Sequence, residues 1–218
     1  ENTSDFPIDT KELAYKNRLI SCYPIHPEVF DRLYGDWATL EKFQRTRGVL
    51  RLMAAVIHEL WMGNDAGLLI MPGSIPLNVP TVRDELIQYL ESDDGWNAIV
   101  DHEVDGRDSI PYQKDQEIPR YGNRLAARRV ARTIFLGSAP SSRSQAVRGV
   151  ASERIRLGIV QPGETISDFN DALGTLSKSL TYLYENDSGN RFWYDTRPTL
   201  RKMVEDRASQ YTTDRIDY

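Results

Sequence analysis

The sequence predicts a mainly α-helical protein that carries a small β component. Apolar residues recur at three- and four-residue steps through most of the chain, as on the buried face of a helix. Late in the chain, the aromatic-rich runs TYLYE and RFWYDT flank the turn NDSGN, a pattern typical of a β-hairpin. The chain of 218 residues can bury a substantial core, as one large domain or two small ones.

Residues 1–62 are predicted to form a bundle of about three helices. The first helix is expected over about residues 10–21. It ends before YPIHPE, because Pro24 and Pro27 lack amide donors and push the residues before them out of the helical region. The second helix begins at Pro27 and carries an apolar stripe as far as Trp37.

The third helix of this bundle lies in FQRTRGVLRLMAAVIHELW and is predicted to run from near Gly48 to Gly63. Arg47 and Arg51 are four residues apart on one face, and Arg45 precedes them. A helix N-terminus favours anions, so positive charge there is unusual. An anionic partner such as a phosphate or a carboxylate, shared by the helix end and the arginines, would explain it. The alternative is a group of surface ion pairs with Asp36, Glu41 or Glu59.

Residues 63–118 are predicted to be an acidic segment that connects two folded regions. It begins with a loop rich in glycine and proline, continues with a short helix over residues 82–90, and then reaches residues 96–104, which fit either a helix or a strand. Residues 105–122 have turn chemistry and little apolar content, which predicts an exposed loop or a domain boundary.

Residues 119–196 are predicted to form a winged-helix-like domain. Helices are expected over residues 123–136, 150–157 and 165–179, and the hairpin follows them. Three helices followed by a hairpin is the order of a winged helix. The remaining residues, 197–218, are predicted to be a C-terminal helix that begins at Pro198 and a frayed tail from Tyr211.

Two neighbouring blocks of opposite charge stand out against the net charge of −5. Residues 83–117 hold eleven acids against three bases, and residues 119–156 hold nine arginines against one acid. The basic block contains a helical stripe of four arginines, which are Arg124, Arg128, Arg129 and Arg132. This stripe is a candidate DNA contact, since arginines supply most nonspecific affinity for phosphates. It could equally face the acidic block, and the predicted recognition helix, ISDFNDALGTLSKSL, carries more acids than bases.

Several kinds of site are absent from the sequence. It contains no phosphate-binding Gly-x-x-x-x-Gly-Lys-Ser/Thr loop and no Gly-x-Gly-x-x-Gly motif. The segment DHEVDG resembles the start of a calcium loop, but Tyr112 stands where a bidentate Glu is required. No metal site is predicted. The lone Cys22 forms no internal disulfide, and no apolar run is long enough to span a bilayer. A cytoplasmic protein without a membrane partner is expected.

Several sequence motifs, taken together, resemble those of a known family. The runs YPIHPEVFDRLYGDW, FQRTRGVLRLMA, LIMPGSI, ARTIFLGS, IRLGIVQPGE and RFWYDTRPTL together resemble the later part of a family of large predicted AAA+-type ATPases, encoded in phage-defence gene clusters. The resemblance spans about residues 23–207. In that family the phosphate-binding loop lies upstream, which implies that this chain begins after the ATPase core.

The resemblance implies a role for the first arginine cluster. The FQRTRG helix is similar to the lid of an AAA+ module, where an arginine reaches the γ-phosphate of ATP. Arg47 is the first candidate for this nucleotide sensor, Arg45 is the second, and Arg51 could support either at the cofactor. ATP and Mg²⁺ would bind only in the full-length protein. The implied partners are the upstream ATPase core, DNA and other proteins of a defence system.

An alternative function belongs to a different class. The chain could be a non-catalytic winged-helix module that docks a protein through the hairpin aromatics Phe192, Trp193 and Tyr194. The competing expectation is that at least two of these aromatics lie in the core between the hairpin and the helices.

Overall fold

The computed structural model describes residues 5–90, 95–141 and 147–213, and these are mainly helical, as predicted. The helices are α1 (Leu13–Cys22), α2 (Pro27–Gly35), α3 (Arg45–Met62), α4 (Pro80–Ile87), α5 (Trp96–Ile99), α6 (Ile110–Glu117), α7 (Pro119–Gly122), α8 (Ala126–Ser138), α9 (Ser152–Leu157), α10 (Ile166–Ser179) and α11 (Leu200–Thr213). The strands are β1 (Val150–Ala151), β2 (Leu183–Glu185) and β3 (Arg191–Tyr194). The 3₁₀ turns are Ile8–Lys11, Trp37–Thr39 and Pro72–Ser74, and the π-helical turn Val100–Val104 extends α5.

Helix α8 lies at the centre of the fold. All of its residues except Arg128 are buried, and it packs against α6, α10, β3 and the turn at Pro72–Ser74. Its small residues allow this close packing: a Cβ atom added to Gly137 would lie 2.4 Å from Cγ2 of Val150. The indole Nε1 of Trp37 donates a hydrogen bond of 2.7 Å to the carbonyl of Leu136, which joins the N-terminal bundle to this central helix.

Helices α2 and α3 follow the predicted pattern with shifted ends. The ring of His26 caps α2, because its Nδ1 accepts a hydrogen bond of 3.2 Å from the amide of Glu28. This bond requires a neutral ring at Nδ1, and burial lowers the pKa of His26 to about 4. Helix α3 begins at Arg45, three residues before the predicted start. It buries Val49, Leu52 and Val56, whereas Ile57, which recurs at the same three- and four-residue steps, is exposed.

The prediction of an exposed loop or a domain boundary over residues 105–122 was wrong. Helices α6 and α7 occupy most of this stretch, and Asp105, Ser109 and Asp115 are buried. These polar residues bind backbone amides inside the protein; Ser109, for example, caps α6 by accepting a hydrogen bond of 3.2 Å from the amide of Tyr112. The low apolar content of this stretch had suggested an exposed loop, but its polar side chains make hydrogen bonds inside the protein.

The predicted hairpin is present as β2 and β3. Within the described residues the sheet has three antiparallel strands in the order β1-β3-β2, with Val150 opposite Phe192 and Leu183 opposite Tyr194. Strand β1 was not predicted; its residues were assigned to a helix. Gly149 precedes it with a φ of +80°, and a Cβ there would lie 2.5 Å from the Phe192 carbonyl oxygen.

The carboxylate of Glu103 holds the hairpin against the rest of the fold. It accepts hydrogen bonds of 2.7 Å from the amides of Thr181 and Tyr182, where the chain enters β2. The Tyr194 hydroxyl donates to the Glu103 carbonyl at 2.9 Å. Burial is the main reason that the pKa of Glu103 is raised.

Buried apolar side chains form a cluster that extends from Val29 to Tyr194. Residues 1–62, 63–118 and 119–196 all contribute to it, so the three predicted segments pack on one another. Part of the acidic block (residues 91–94) and part of the predicted tail (residues 214–218) lie outside the described residues. In the part of the chain that is described, no helix has the length and apolar character to cross a membrane.

Candidate functional site

The first arginine cluster lies at the N-terminal end of α3. Arg45 and Arg47 are exposed, and neither has an ion pair or a side-chain hydrogen bond among the described residues. Gln44 caps the helix without a side-chain hydrogen bond, and the first turn of α3 contains no acid. Gln44 and Arg45 have φ angles of +20° and +23°. This helix end therefore combines uncapped amides with two exposed guanidiniums.

Arg51 lies one turn further along and differs from the other two. Its guanidinium donates a hydrogen bond to the Tyr89 hydroxyl and is 3.4 Å from the Glu85 carboxylate. Arg51 is thus tied to α4 and its C-terminal end. Two of the three acids that could have paired with Arg45 and Arg47 have other partners: Asp36 binds Arg32 at 3.0 Å, and Glu59 binds the Thr81 hydroxyl at 3.2 Å. The third, Glu41, is exposed.

The second arginine cluster is the predicted stripe along α8, and its members bind acids inside the protein. Arg128 Nε and Arg132 Nη2 both contact Oδ1 of Asp105, at 2.7 and 2.8 Å. The side chain of Asp105 is fully buried, and its Oδ2 accepts a hydrogen bond of 2.7 Å from the amide of Asn78. Because Asp105 belongs to the acidic block, this part of the stripe faces that block.

Arg129 and Arg124 complete the stripe with acids from other segments. Arg129 binds Glu164 through two nitrogens, at 2.7 and 3.0 Å, and also donates to the Ile159 carbonyl. Arg124 Nη1 lies 2.6 Å from Asp168 on α10. The four arginines line a cleft of about 680 Å³ together with residues 63–79 and 161–164. The four guanidiniums pair with three carboxylates, because Arg128 and Arg132 share Asp105.

Asp115 stabilises the start of α8. Its carboxylate accepts hydrogen bonds from the amides of Ala127 at 2.9 Å and Arg128 at 3.3 Å. It takes the place of a side-chain cap at Leu125, which has a φ of +51° and makes none. Burial raises the pKa of Asp115 to about 6, although the two amides, Arg128 and Arg132 act in the opposite direction.

Helix α10, the predicted recognition helix, also uses its acids internally. Asp168 binds Arg124, and Asp171 lies 2.9 Å from Arg120. Both acids therefore pair with the basic block on α7 and the residues before α8.

The acids of the calcium-like segment point to three different partners. Asp101 binds Arg83 at 2.7 Å, Glu103 binds the amides that lead into β2, and Asp105 binds the α8 arginines. Among the residues that the structure describes, no group of three or more His, Cys, Asp or Glu side chains is placed to hold a metal ion.

The hairpin aromatics divide between core and surface. Phe192 and Tyr194 are buried, which confirms the expectation that at least two of the three lie in the core. Trp193 is partly exposed; its ring stacks on Tyr184 with centroids 5.7 Å apart, and the Arg148 guanidinium lies 5.6 Å from the Trp193 centroid.

The sequence alone did not identify which acids bind the stripe. Asp105 and Asp115 lie in the stretch that was assigned to an exposed loop or a domain boundary, and Glu164 lies between the predicted helices over residues 150–157 and 165–179. The charge balance was a usable signal. Residues 119–156 have a net charge of +8 and residues 83–117 one of −8, and neighbouring segments of opposite charge are expected to pair. This balance could not show which acid meets which arginine.

Comparison with known proteins identifies a family. A family model described as DUF499 second domain matches residues 3–194. No curated protein and no solved structure matches the chain.

Proposed function

This chain belongs to the DUF499 second-domain family, and from that premise we propose that it is the lid and winged-helix region of a larger AAA+-type ATPase. In this proposal, Arg47 and Arg45 contact the phosphates of a nucleotide that another part of the longer protein holds together with Mg²⁺. The ATPase would serve a phage-defence or DNA-processing system, as the sequence resemblance implies.

The observation that carries the proposal is the contrast between exposed and paired arginines. Arg45 and Arg47 have no acidic partner in the described part of the chain, whereas the arginines on α8 and Arg51 on α3 have one. The positive end of the α3 helix dipole and its two exposed guanidiniums have no acid in the first turn of the helix to offset their charge. A phosphate supplies a negative charge there and accepts hydrogen bonds from both the amides and the guanidiniums.

The chemistry that follows is nucleotide sensing. A guanidinium fork that binds the γ-phosphate loses its ligand when that phosphate is hydrolysed and released. The bonds that held α3 against the nucleotide are then lost, and the lid can change its position. The residues of this chain would thus bind and report the phosphate, while the reacting water and the metal would be held elsewhere.

The order α8, β1, α9, α10, β2, β3 supports the winged-helix part of the proposal. The part of the proposal with less support is DNA contact through Arg124, Arg128, Arg129 and Arg132. Each of these side chains already binds a carboxylate, and phosphate contact would require those bonds to break. This pairing favours the alternative of a protein-interaction module, since arginines that bind carboxylates within the protein leave less charge for a phosphate backbone.

The test is ATP turnover in the longer protein that contains this chain. We expect Arg47→Ala to lower the turnover rate by about tenfold or more, because an arginine that stabilises a transferring phosphoryl group contributes strongly to the rate. Arg45→Ala should have a smaller effect. Lys42→Ala is the matched control, because Lys42 is an exposed base just before the same helix.

Wild-type turnover in both arginine variants would contradict the sensor role and favour the non-catalytic interaction module. A loss of turnover in Lys42→Ala equal to that in Arg47→Ala would show that the rate depends on the total positive charge of this region, and would also count against a specific phosphate contact of Arg47.

A further inference from the structure

The outer face of α3 carries an exposed apolar stripe. Trp61 is 82% exposed, Leu50 is 66% exposed and Ile57 is 45% exposed. With Ala54 they occupy positions 50, 54, 57 and 61, which lie on one side of an α-helix. The opposite side of α3 packs into the core through Val49, Leu52 and Val56. Helix α3 is therefore apolar on two faces, and the outer one is covered by nothing in the described structure.

This face also has a simple charge pattern. Arg47 lies one turn before Leu50 on the same side, and His58 lies beside Ile57. Within the described residues, the acid of α3 is Glu59, whose Oε1 accepts a hydrogen bond from the Thr81 hydroxyl and also lies 3.3 Å from Nδ1 of His58. The stripe thus has a basic N-terminal end and an aromatic C-terminal end.

The stripe is complementary to itself. If two copies of α3 run antiparallel and cross at Ala54, position 47 of one helix lies level with position 61 of the other. Leu50 then lies beside Ile57 of the second copy, and the small Ala54 side chains allow the helices to approach closely at the axis. We propose that this chain forms a two-fold symmetric dimer in which α3 packs antiparallel against α3 of a second copy.

The charges favour this arrangement. Each Arg47 would lie on the indole of Trp61 of the second copy, where a cation and an aromatic face attract each other. The two Arg47 side chains would be about 20 Å apart along the pair of helices, well beyond the screening length in physiological salt. The antiparallel order also places each positive helix end beside a negative one.

The dimer goes beyond the proposed function and is compatible with it. A guanidinium that stacks on an indole presents its face to the ring and keeps its N–H groups at the edge. Arg47 could therefore contact Trp61 of the second copy and still donate to a phosphate, and Arg45 lies outside the stripe.

One pair of helices buries a small interface, at the low end of what specific complexes use. The affinity should accordingly be in the micromolar range, and the dimer should dissociate on dilution.

Cysteine cross-linking tests the symmetry. In a Cys22→Ser background, Ala54→Cys should form a disulfide-linked dimer under mild oxidation, because the two positions meet at the axis within disulfide distance. His58→Cys is the matched control: it is exposed on the same helix, but its two copies would be about 12 Å apart along the pair. We expect rapid dimer formation for Ala54→Cys and little for His58→Cys.

Sedimentation of the 218-residue chain tests the contact surface. Wild type should show a concentration-dependent dimer, and Leu50→Glu should reduce association by at least about tenfold, because it places a carboxylate in the apolar contact. Leu13→Glu is the control, since Leu13 is equally exposed on α1. Thermal unfolding of each variant verifies that it folds.

Three outcomes would overturn the proposal. The wild-type chain could remain monomeric at high concentration, so that the stripe serves a different protein or the ATPase core. A dimer could persist in Leu50→Glu, which would place the contact on another surface. The His58→Cys variant could cross-link as fast as Ala54→Cys, which would exclude an axis at Ala54. None of these measurements involves a nucleotide, so the proposed sensor role would be unaffected.

Discussion

The two arginine clusters of this protein place the same type of side chain in opposite environments. At the start of α3, Arg45 and Arg47 are exposed and, in the described residues, lack acidic partners. Along α8, Arg129 and Arg132 are buried and bind Glu164 and Asp105. Sequence spacing made both clusters candidate binding sites. The difference shows that an arginine cluster suggests a ligand only after its internal partners have been identified.

The largest expected effect on stability follows from replacing Asp105, the acid that binds two arginines of α8. Replacing Asp105 by Ala leaves Arg128 and Arg132 without their shared carboxylate, and Arg132 is buried. We expect the free energy of unfolding to fall by about 3–5 kcal/mol, measured by urea denaturation, because uncompensated buried charge is strongly destabilising. Asp108→Ala, at an exposed acid three residues away, should change it by less than about 0.5 kcal/mol. Equal effects of the two variants would remove the distinction between the clusters.

A pH-dependent effect of intermediate size is expected at Asp115. The folded protein holds a proton on this carboxyl up to about pH 6, whereas the unfolded chain releases it near the ordinary value of 3.8. Because the folded state binds the proton more tightly, this group loses stability as the pH rises from about 4 to about 6. The expected loss is about 2–3 kcal/mol.

The measurement for Asp115 compares urea denaturation of wild type and Asp115→Asn across this pH range. His26 titrates in the same range with the opposite sign, since its pKa is lowered and its contribution grows as the pH rises. It is present in both proteins, so the difference between them isolates Asp115. If wild type instead gained stability relative to Asp115→Asn as the pH rises from 4 to 6, the amides and arginines would outweigh burial at this carboxyl.

The smallest effect on stability is expected at α3. Arg47→Ala removes a cation from a helix N-terminus and breaks no ion pair in the described structure, so the free energy of unfolding should rise by up to about 0.5 kcal/mol. The assay is urea denaturation at a protein concentration low enough for the monomer. Arg51→Ala is the comparison variant and should lower stability slightly, because it loses Glu85 and Tyr89. A marked loss in Arg47→Ala would mean that this arginine is structural.

The parts of the fold with a strong local pattern could be predicted from the sequence. Helices α2, α3 and α10 have clear apolar spacing, and the hairpin has aromatic runs around an Asn-Asp-Ser-Gly turn, so each was expected within a few residues of its observed ends. Strand β1 was missed because two residues contain no periodicity, and it exists only because β3 provides a partner.

The environment of the arginines could not be predicted in the same way. Exposure of Arg47 and burial of Arg132 depend on contacts between residues far apart in the chain, such as Gly73 and Asn78 with Arg132. Local spacing predicted the helix that carries Arg128, Arg129 and Arg132. It placed Arg124 inside this helix, which begins two residues later at Ala126, and it placed Arg45 before α3, of which Arg45 is the first residue. It contained no information about which face another segment would cover.

The contacts of Glu103 fix the hairpin to the rest of the fold. Its carboxylate joins the π-helical turn to the chain entering β2, and Tyr194 returns a bond from β3 to its carbonyl, all in buried surroundings. Trp37 similarly couples the bundle around α3 to α8. The base of the hairpin is therefore fastened to the π-helical turn by three hydrogen bonds, so these two segments should move as one unit.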